Sequence, residues 1–155
     1  MQNTKQPMQI SWDKITTDCT HLYNKIIESK FKPDLIVGIL KGGIIPATIL
    51  AYKLHCKLNT VGYSSYIRGK HCTIKEYSSL HEDLDSIGNI LFVDDLSDTG
   101  DTFLTVTEKY SALLKNKVIK TASLYLKDNT KFVTDFYITK YPSNVWLEFP
   151  WECNK

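Results

Sequence analysis

Residues 89–103, NILFVDDLSDTGDTF, carry four aspartates in eight positions directly behind an apolar run. That junction constrains the fold more than any other stretch. A short, wholly apolar run suits a strand covered on both faces, as in a parallel sheet packed between helices. Carboxylates crowded at the end of such a strand are costly unless a cation or a polyol shares the site. DLIVGIL (34–40) is built the same way and ends in Lys41-Gly42-Gly43. Ligands bind beyond the carboxyl ends of strands in sheets of this kind, so both turns should lie on one edge.

The rest of the chain fits that architecture. Ser11 to Lys30 reads as a helix, with Ser11 as cap and Ile15, Cys19, Leu22, Tyr23, Ile26 and Ile27 at helical spacing. The Gly-Gly turn leads into a second helix from about Ile45 to Leu54, followed by a strand over 59–66. From Ile67 to about Ser86 the sequence is polar and aperiodic, the pattern of a lid or a disordered loop. A helix is expected over about 100–115, with Phe103, Val106, Tyr110, Leu113 and Leu114 on one face. Strands are expected at 117–126, 135–139 and 144–149. The predicted fold class is α/β, a mostly parallel central sheet flanked by helices, with residues 1–155 as a single domain.

Composition narrows the partners. Apolar residues are 43% and charged residues 23%, a globular profile. The net charge of +2 is too small to predict nucleic-acid binding through bulk charge. MQNTKQPMQ lacks the apolar core of a signal peptide, and Lys41, Gly42, Gly43 and Pro46 interrupt the longest apolar stretch, Leu35–Leu54, so no membrane span is expected. Cys19, Cys56, Cys72 and Cys153 form no CxxC pair, which points to reduced thiols in the cytoplasm. His21, His55, His71 and His81 are equally scattered and suit surface or packing roles.

The acidic run excludes two familiar sites. Read as a calcium loop starting at Asp95, position twelve is Val106 where a bidentate Glu is needed. Read as a Walker B strand, it lacks the upstream Lys-Ser/Thr phosphate loop. A simple helix-capping turn remains, with Asp98 or Thr99 as N-cap. A fuller reading is an anion cradle, made by the backbone N–H groups of 98–102 with the Thr99 and Thr102 hydroxyls. Asp94 and Asp95 then face hydroxyls or a divalent cation. A ligand with a phosphate beside a diol is a phosphorylated sugar.

On these residues the sequence resembles the type I phosphoribosyltransferase family. FVDDLSDTGDT is similar to that family's phosphoribosyl pyrophosphate signature, and ILKGG (39–43) to its pyrophosphate loop. SSY (64–66) resembles the Ser-Tyr of its mobile lid. LYLKD (124–128) matches the position of the purine-reading lysine in 6-oxopurine enzymes, and VWLEFPWE (145–152) resembles the closing segment of bacterial-type xanthine-guanine enzymes.

The resemblance implies a lid loop at about 66–87 and a purine-binding hood at about 127–152. It implies that Asp94 and Asp95 hold the ribose hydroxyls, directly or through Mg2+, and that Asp98, Thr99, Gly100, Asp101 and Thr102 hold the 5-phosphate. Lys41, Gly42 and Gly43 would receive pyrophosphate, and Ser65 and Tyr66 would close the lid. Asp98 would also manage the purine proton. Lys127 would donate to O6, Trp146 would stack on the base, and the backbone at Leu147 would read the 2-position, with Trp151 left to core or edge packing. Glu148 and Glu152 either assist at the base or metal or are simply exposed.

The implied activity is Mg2+-dependent transfer of phosphoribose to guanine, xanthine or hypoxanthine by a homodimer or homotetramer. Adenine or orotate as the base remains open, as does a non-catalytic sensor of phosphoribosyl pyrophosphate. Two positions depart from the family pattern. Lys41 stands where close xanthine-guanine enzymes carry Arg, and Asp101 lies inside the phosphate cradle, so its carboxylate must point away.

Overall fold

The computed structural model describes residues 7–68, 71–80 and 83–152, excepting the side chains of 65–68 and 71–73. Elements follow in the order β1 (Pro7–Gln9), α1 (Trp12–Glu28), β2 (Leu35–Leu40), α2 (Ile44–Leu54), β3 (Lys57–Arg68), β4 (His71–Ser78), β5 (Asn89–Ser97), α3 (Asp101–Leu113), β6 (Val118–Lys127), β7 (Thr139–Tyr141) and β8 (Trp146–Glu148). Six strands form one sheet in the order β4-β3-β2-β5-β6-β7, parallel except for the β3–β4 pair.

The apolar strands are covered on both faces, and strand alternation divides their side chains between two cores. Leu35, Val37, Ile39, Ile90 and Phe92 pack with Phe103, Val106 and Tyr110 of α3. Ile36, Leu91 and Val93 face the opposite way, onto Ile15, Cys19, Leu22 and Ile26 of α1 and Ala47 and Leu50 of α2. Ser11 caps α1 by accepting from the Lys14 N–H at 3.1 Å. The buried Asp18 carboxylate ties α1 to β6, accepting from the Tyr125 hydroxyl at 2.6 Å and the Lys14 ammonium at 2.9 Å.

Two sequence expectations are corrected, and one strand is added. The polar stretch after Ile67 is not a structureless loop, because 71–78 pair antiparallel with β3. The hairpin is fastened to α3, with the Glu76 carboxylate on β4 accepting from Tyr63 of β3 at 3.1 Å and from Tyr110 of α3 at 2.9 Å. Lys109 of α3 completes that cluster through an ion pair with Glu76. The strand expected at 135–139 pairs instead at 139–141. Phe136 makes a single bridge to Ala122, and its ring turns into the core beside Phe31. The sequence gives no sign of β1, which pairs parallel with β8 and so braces residues 146–148.

Among the described residues Cys19 and Cys56 are free thiols, and burial pushes the Cys19 thiol up to about 12. The Cys72 and His71 side chains, His81 and Cys153 lie outside the described residues. Among the described residues no helix is long and apolar enough to cross a membrane.

Candidate functional site

The carboxyl ends of β2 and β5 meet in one cleft of about 600 Å3. Lys41 and Gly42 line it from the turn after β2, and Asp94 and Asp95 from the carboxyl half of β5, which does not stop at Asp95 as expected but stays paired with β6 through Ser97. Thr102 enters from the first turn of α3, Tyr63 from β3, and Trp146, Trp151 and Glu152 from the hood. Strands neighbouring in the sheet but distant in sequence thus bring the two turn motifs onto one edge.

The Gly-Gly turn is required sterically. A Cβ on Gly42 would lie 2.1 Å from the Asp95 carboxylate, and one on Gly43 would lie 2.3 Å from the Val93 carbonyl oxygen. Gly43 then caps α2 without a side chain. The preceding Leu40–Lys41 peptide is cis.

The two acids at the end of β5 are part-buried and close together. The Asp95 N–H donates to the Asp94 carboxylate at 2.8 Å. Burial raises Asp94 well above the ordinary carboxylate range, and the Asp95 charge adds to that. Burial pushes Asp95 up to about 6, and the Glu152 charge acts in the same direction. Glu152 is itself fixed by accepting the Phe149 N–H at 2.9 Å. Two crowded, part-buried carboxylates with no counter-charge beside them are relieved by hydroxyl donors or a cation. Among the described residues no group of three or more His, Cys, Asp or Glu is arranged to hold a metal unaided. Two carboxylates do suit Mg2+, a hard cation that commonly takes one or two carboxylates and completes its shell with water and ligand phosphates.

Beside the cleft, Ser97 to Phe103 wrap a recess of about 260 Å3, which also includes Leu96 and Ile74 of β4. Gly100, at φ 89°, precedes α3 and offers no capping side chain; the Asp101 N–H donates to the Thr99 hydroxyl at 3.3 Å, and the rest of the first turn has the dipole and donors that suit an anion. The recess is braced from below by residues after β6. A Cβ on Gly100 would strike the Phe132 nitrogen at 2.6 Å. The Ser97 hydroxyl donates to the Phe132 carbonyl at 2.8 Å.

The residues between the end of β6 and residue 152 differ in how they meet the cleft. The Lys127 ammonium, buried at the end of β6, donates to the Val145 carbonyl and to the Pro142 carbonyl at 3.5 Å. Trp146 is 53% exposed at the cleft, whereas the Leu147 side chain is buried in the core. Trp151 packs on Phe149 at 4.8 Å, as expected of an edge residue, yet it also lines the cleft. The Ser65 and Tyr66 backbones pair with Ile74 and Thr73, and their side chains lie outside the described residues. Sequence reasoning missed Tyr63, Ile74 and Lys131. Tyr63 adjoins SSY, a signal that could have found it; Ile74 and Lys131 reach the site only through tertiary contacts.

Comparison with known proteins agrees with this geometry. Residues 11–154 match the phosphoribosyl transferase domain family. The chain is 32% identical over 148 residues to a xanthine-guanine phosphoribosyltransferase of Chromohalobacter salexigens, covering 95% of this chain and 85% of that one. Its structure superposes on a purine phosphoribosyltransferase of Pyrococcus horikoshii Ot3 with a TM-score of 0.83 at 32% identity, covering 96% of each chain. It also shares its fold with a Helicobacter pylori xanthine-guanine-hypoxanthine phosphoribosyltransferase, at a TM-score of 0.86 and 21% identity over 96% of this chain and 95% of that one. With fold, cleft and sequence in agreement, the chain belongs to the phosphoribosyl transferase domain family and is a phosphoribosyltransferase.

Proposed function

We propose that the protein transfers the 5-phosphoribosyl group of phosphoribosyl pyrophosphate to N9 of a 6-oxopurine, releasing pyrophosphate. The observation that carries this reading is that Asp94 and Asp95 share one cleft with the Lys41-Gly42 turn and the hood tryptophans. A diol, a leaving pyrophosphate and a flat base can therefore be held side by side. The names of the relatives, purine and xanthine-guanine enzymes, favour the same substrate class.

In this reading the turn at Lys41–Gly42 receives pyrophosphate, through its backbone N–H groups and the Lys41 ammonium; Gly43, expected to share in this, instead donates its N–H to the Ile39 carbonyl at 2.8 Å. Asp94 and Asp95 orient the ribose hydroxyls, and the loop 98–102 holds the 5-phosphate at the start of α3. Asp94 and Asp95 would hold Mg2+, which would supply neutralisation of the pyrophosphate charge. The bond from the anomeric carbon to pyrophosphate breaks as the bond to N9 forms, and the Asp98 carboxylate takes the purine proton. Positioning and electrostatics carry such a reaction without a protein nucleophile. The β3–β4 hairpin, bearing Ser65 and Tyr66, closes over the reacting carbon and excludes water.

Trp146 stacks on the base, a contact contributing about 1–3 kcal/mol in comparable base–aromatic pairs. Lys127 reads O6, which takes one of its bonds in exchange for a hood carbonyl. An ammonium has no acceptor for the 6-amino group of adenine, so Lys127 disfavours that base. The test is Lys127→Ala: its kcat/KM for guanine should fall far more than its affinity for phosphoribosyl pyrophosphate. Equal losses in both would make Lys127 structural.

A further inference from the structure

Asp101 is the acid of the run to which no part of the proposed reaction gives a task. It sits in the first turn of α3, on the wall of the recess assigned to the 5-phosphate. A carboxylate there repels a phosphate dianion, and the two lie well within one screening length. The Asp101 carboxyl is held below its usual range, first by the Lys131 hydrogen bond and then by Thr99, so it stays charged at any neutral pH. The cradle therefore contains a permanent negative charge that something must offset.

Lys131 is placed to do so. Its Nζ lies 3.1 Å from Asp101 Oδ1, although the two residues are thirty positions apart in the chain. The backbone carrying Lys131 is pinned to the loop on both sides. The Lys131 N–H donates to the Thr99 carbonyl at 2.9 Å. The Thr130 hydroxyl bonds the Ser97 hydroxyl at 3.0 Å, and the Phe132 ring stacks on Phe103 of α3 at 5.4 Å. Lys131 also lines, with Asp98, Thr99, Asn129 and Ser143, a second recess of about 360 Å3 against the same loop. Both side chains are substantially exposed, so the pair contributes little to folding. Its consequence is for a charged ligand.

We infer that Lys131 is a positioning residue for the 5-phosphate, drawing the Asp101 carboxylate away from the cradle and cancelling its charge. The inference rests on the phosphoribosyl pyrophosphate reading of the site. Lys131 acts through Asp101 rather than by touching the phosphate, and that makes it separable from an ordinary phosphate-binding lysine. Without Asp101 there is nothing for Lys131 to offset.

The test is calorimetric binding of ribose 5-phosphate, with inorganic pyrophosphate as the second probe. The proteins are wild type, Lys131→Ala, Lys131→Arg, Asp101→Asn and the double variant Asp101→Asn/Lys131→Ala. At low salt Lys131→Ala should weaken ribose 5-phosphate by roughly threefold to fivefold, the scale of one exposed ion pair. The loss should shrink at high salt. Lys131→Arg should bind as wild type does, and pyrophosphate affinity should not change in any variant. In the Asp101→Asn background, Lys131→Ala should cost nothing. A loss of the same size in that background, or one that ignores salt, would overturn the inference while leaving the functional reading standing. Wild type that binds neither probe nor phosphoribosyl pyrophosphate would overturn the functional reading, and this inference with it.

Discussion

The Asp95 carboxylate lies against the backbone of Gly42, so that a Cβ added to the glycine would fall 2.1 Å from Oδ2 and 2.5 Å from Cγ. This contact joins the two sequence motifs, the Gly-Gly turn after β2 and the acid pair near the carboxyl end of β5, into one site.

Alanine at the two glycines should therefore give different defects. Gly42→Ala displaces a side chain, so the protein should fold while kcat/KM drops about 100-fold, as expected of misplaced reacting groups. Gly43→Ala meets backbone, the Val93 and Ile39 carbonyl oxygens at 2.3 and 2.6 Å, and should cost roughly 1–3 kcal/mol of stability. Thermal unfolding and steady-state kinetics on both variants check this.

The acid pair should be a stability cost in the ligand-free protein. Asp95 has its pKa raised to about 6 from an ordinary value of 3.8, so between those values the folded state binds more protons than the unfolded state. Stability should fall as pH rises from about 4 to about 6 and remain reduced above that. Asp95→Asn should match wild type near pH 4 and exceed it at pH 8, by roughly 1–3 kcal/mol. Denaturant unfolding at the two pH values measures the difference.

Glu76 has the opposite sign. Burial alone would raise it, but hydrogen bonds from Lys109, Tyr110 and Tyr63 hold it below its ordinary value of 4.5. Its contribution is present above about pH 4.5 and disappears as pH falls through the lowered value. Glu76→Gln should lose roughly 1–3 kcal/mol at pH 7, on the scale of hydrogen bonds to a charged group. Amide exchange should quicken in β4 more than in β5, because Glu76 is what fastens the hairpin to α3.

Much of this architecture was legible because it is encoded locally. The strands at 34–40 and 89–95 show as apolar runs since both their faces are buried, and α1 shows through its 3.6-residue stripe. DDLSDTGDT and LKGG carry their geometry in adjacent residues. What was not legible depends on partners far away in the chain. β4 has no apolar face of its own to announce it, and it forms because Glu76 finds Tyr63, Lys109 and Tyr110. In DFYIT, residues with high strand propensity sit where Phe136 is needed in the core, and pairing resumes only at Thr139. The three residues of β1 are all exposed and gain their place only from β8. Lys131 likewise meets Asp101 only once β6 and α3 are side by side.

The most direct measurement is product formation from phosphoribosyl pyrophosphate and Mg2+ with guanine, xanthine, hypoxanthine and adenine in separate reactions, following nucleotide and pyrophosphate together. Nucleotide should form from at least one 6-oxopurine with equimolar pyrophosphate, and adenine should react poorly. Nucleotide from adenine alone, or from none of the four bases, would contradict transfer to a 6-oxopurine.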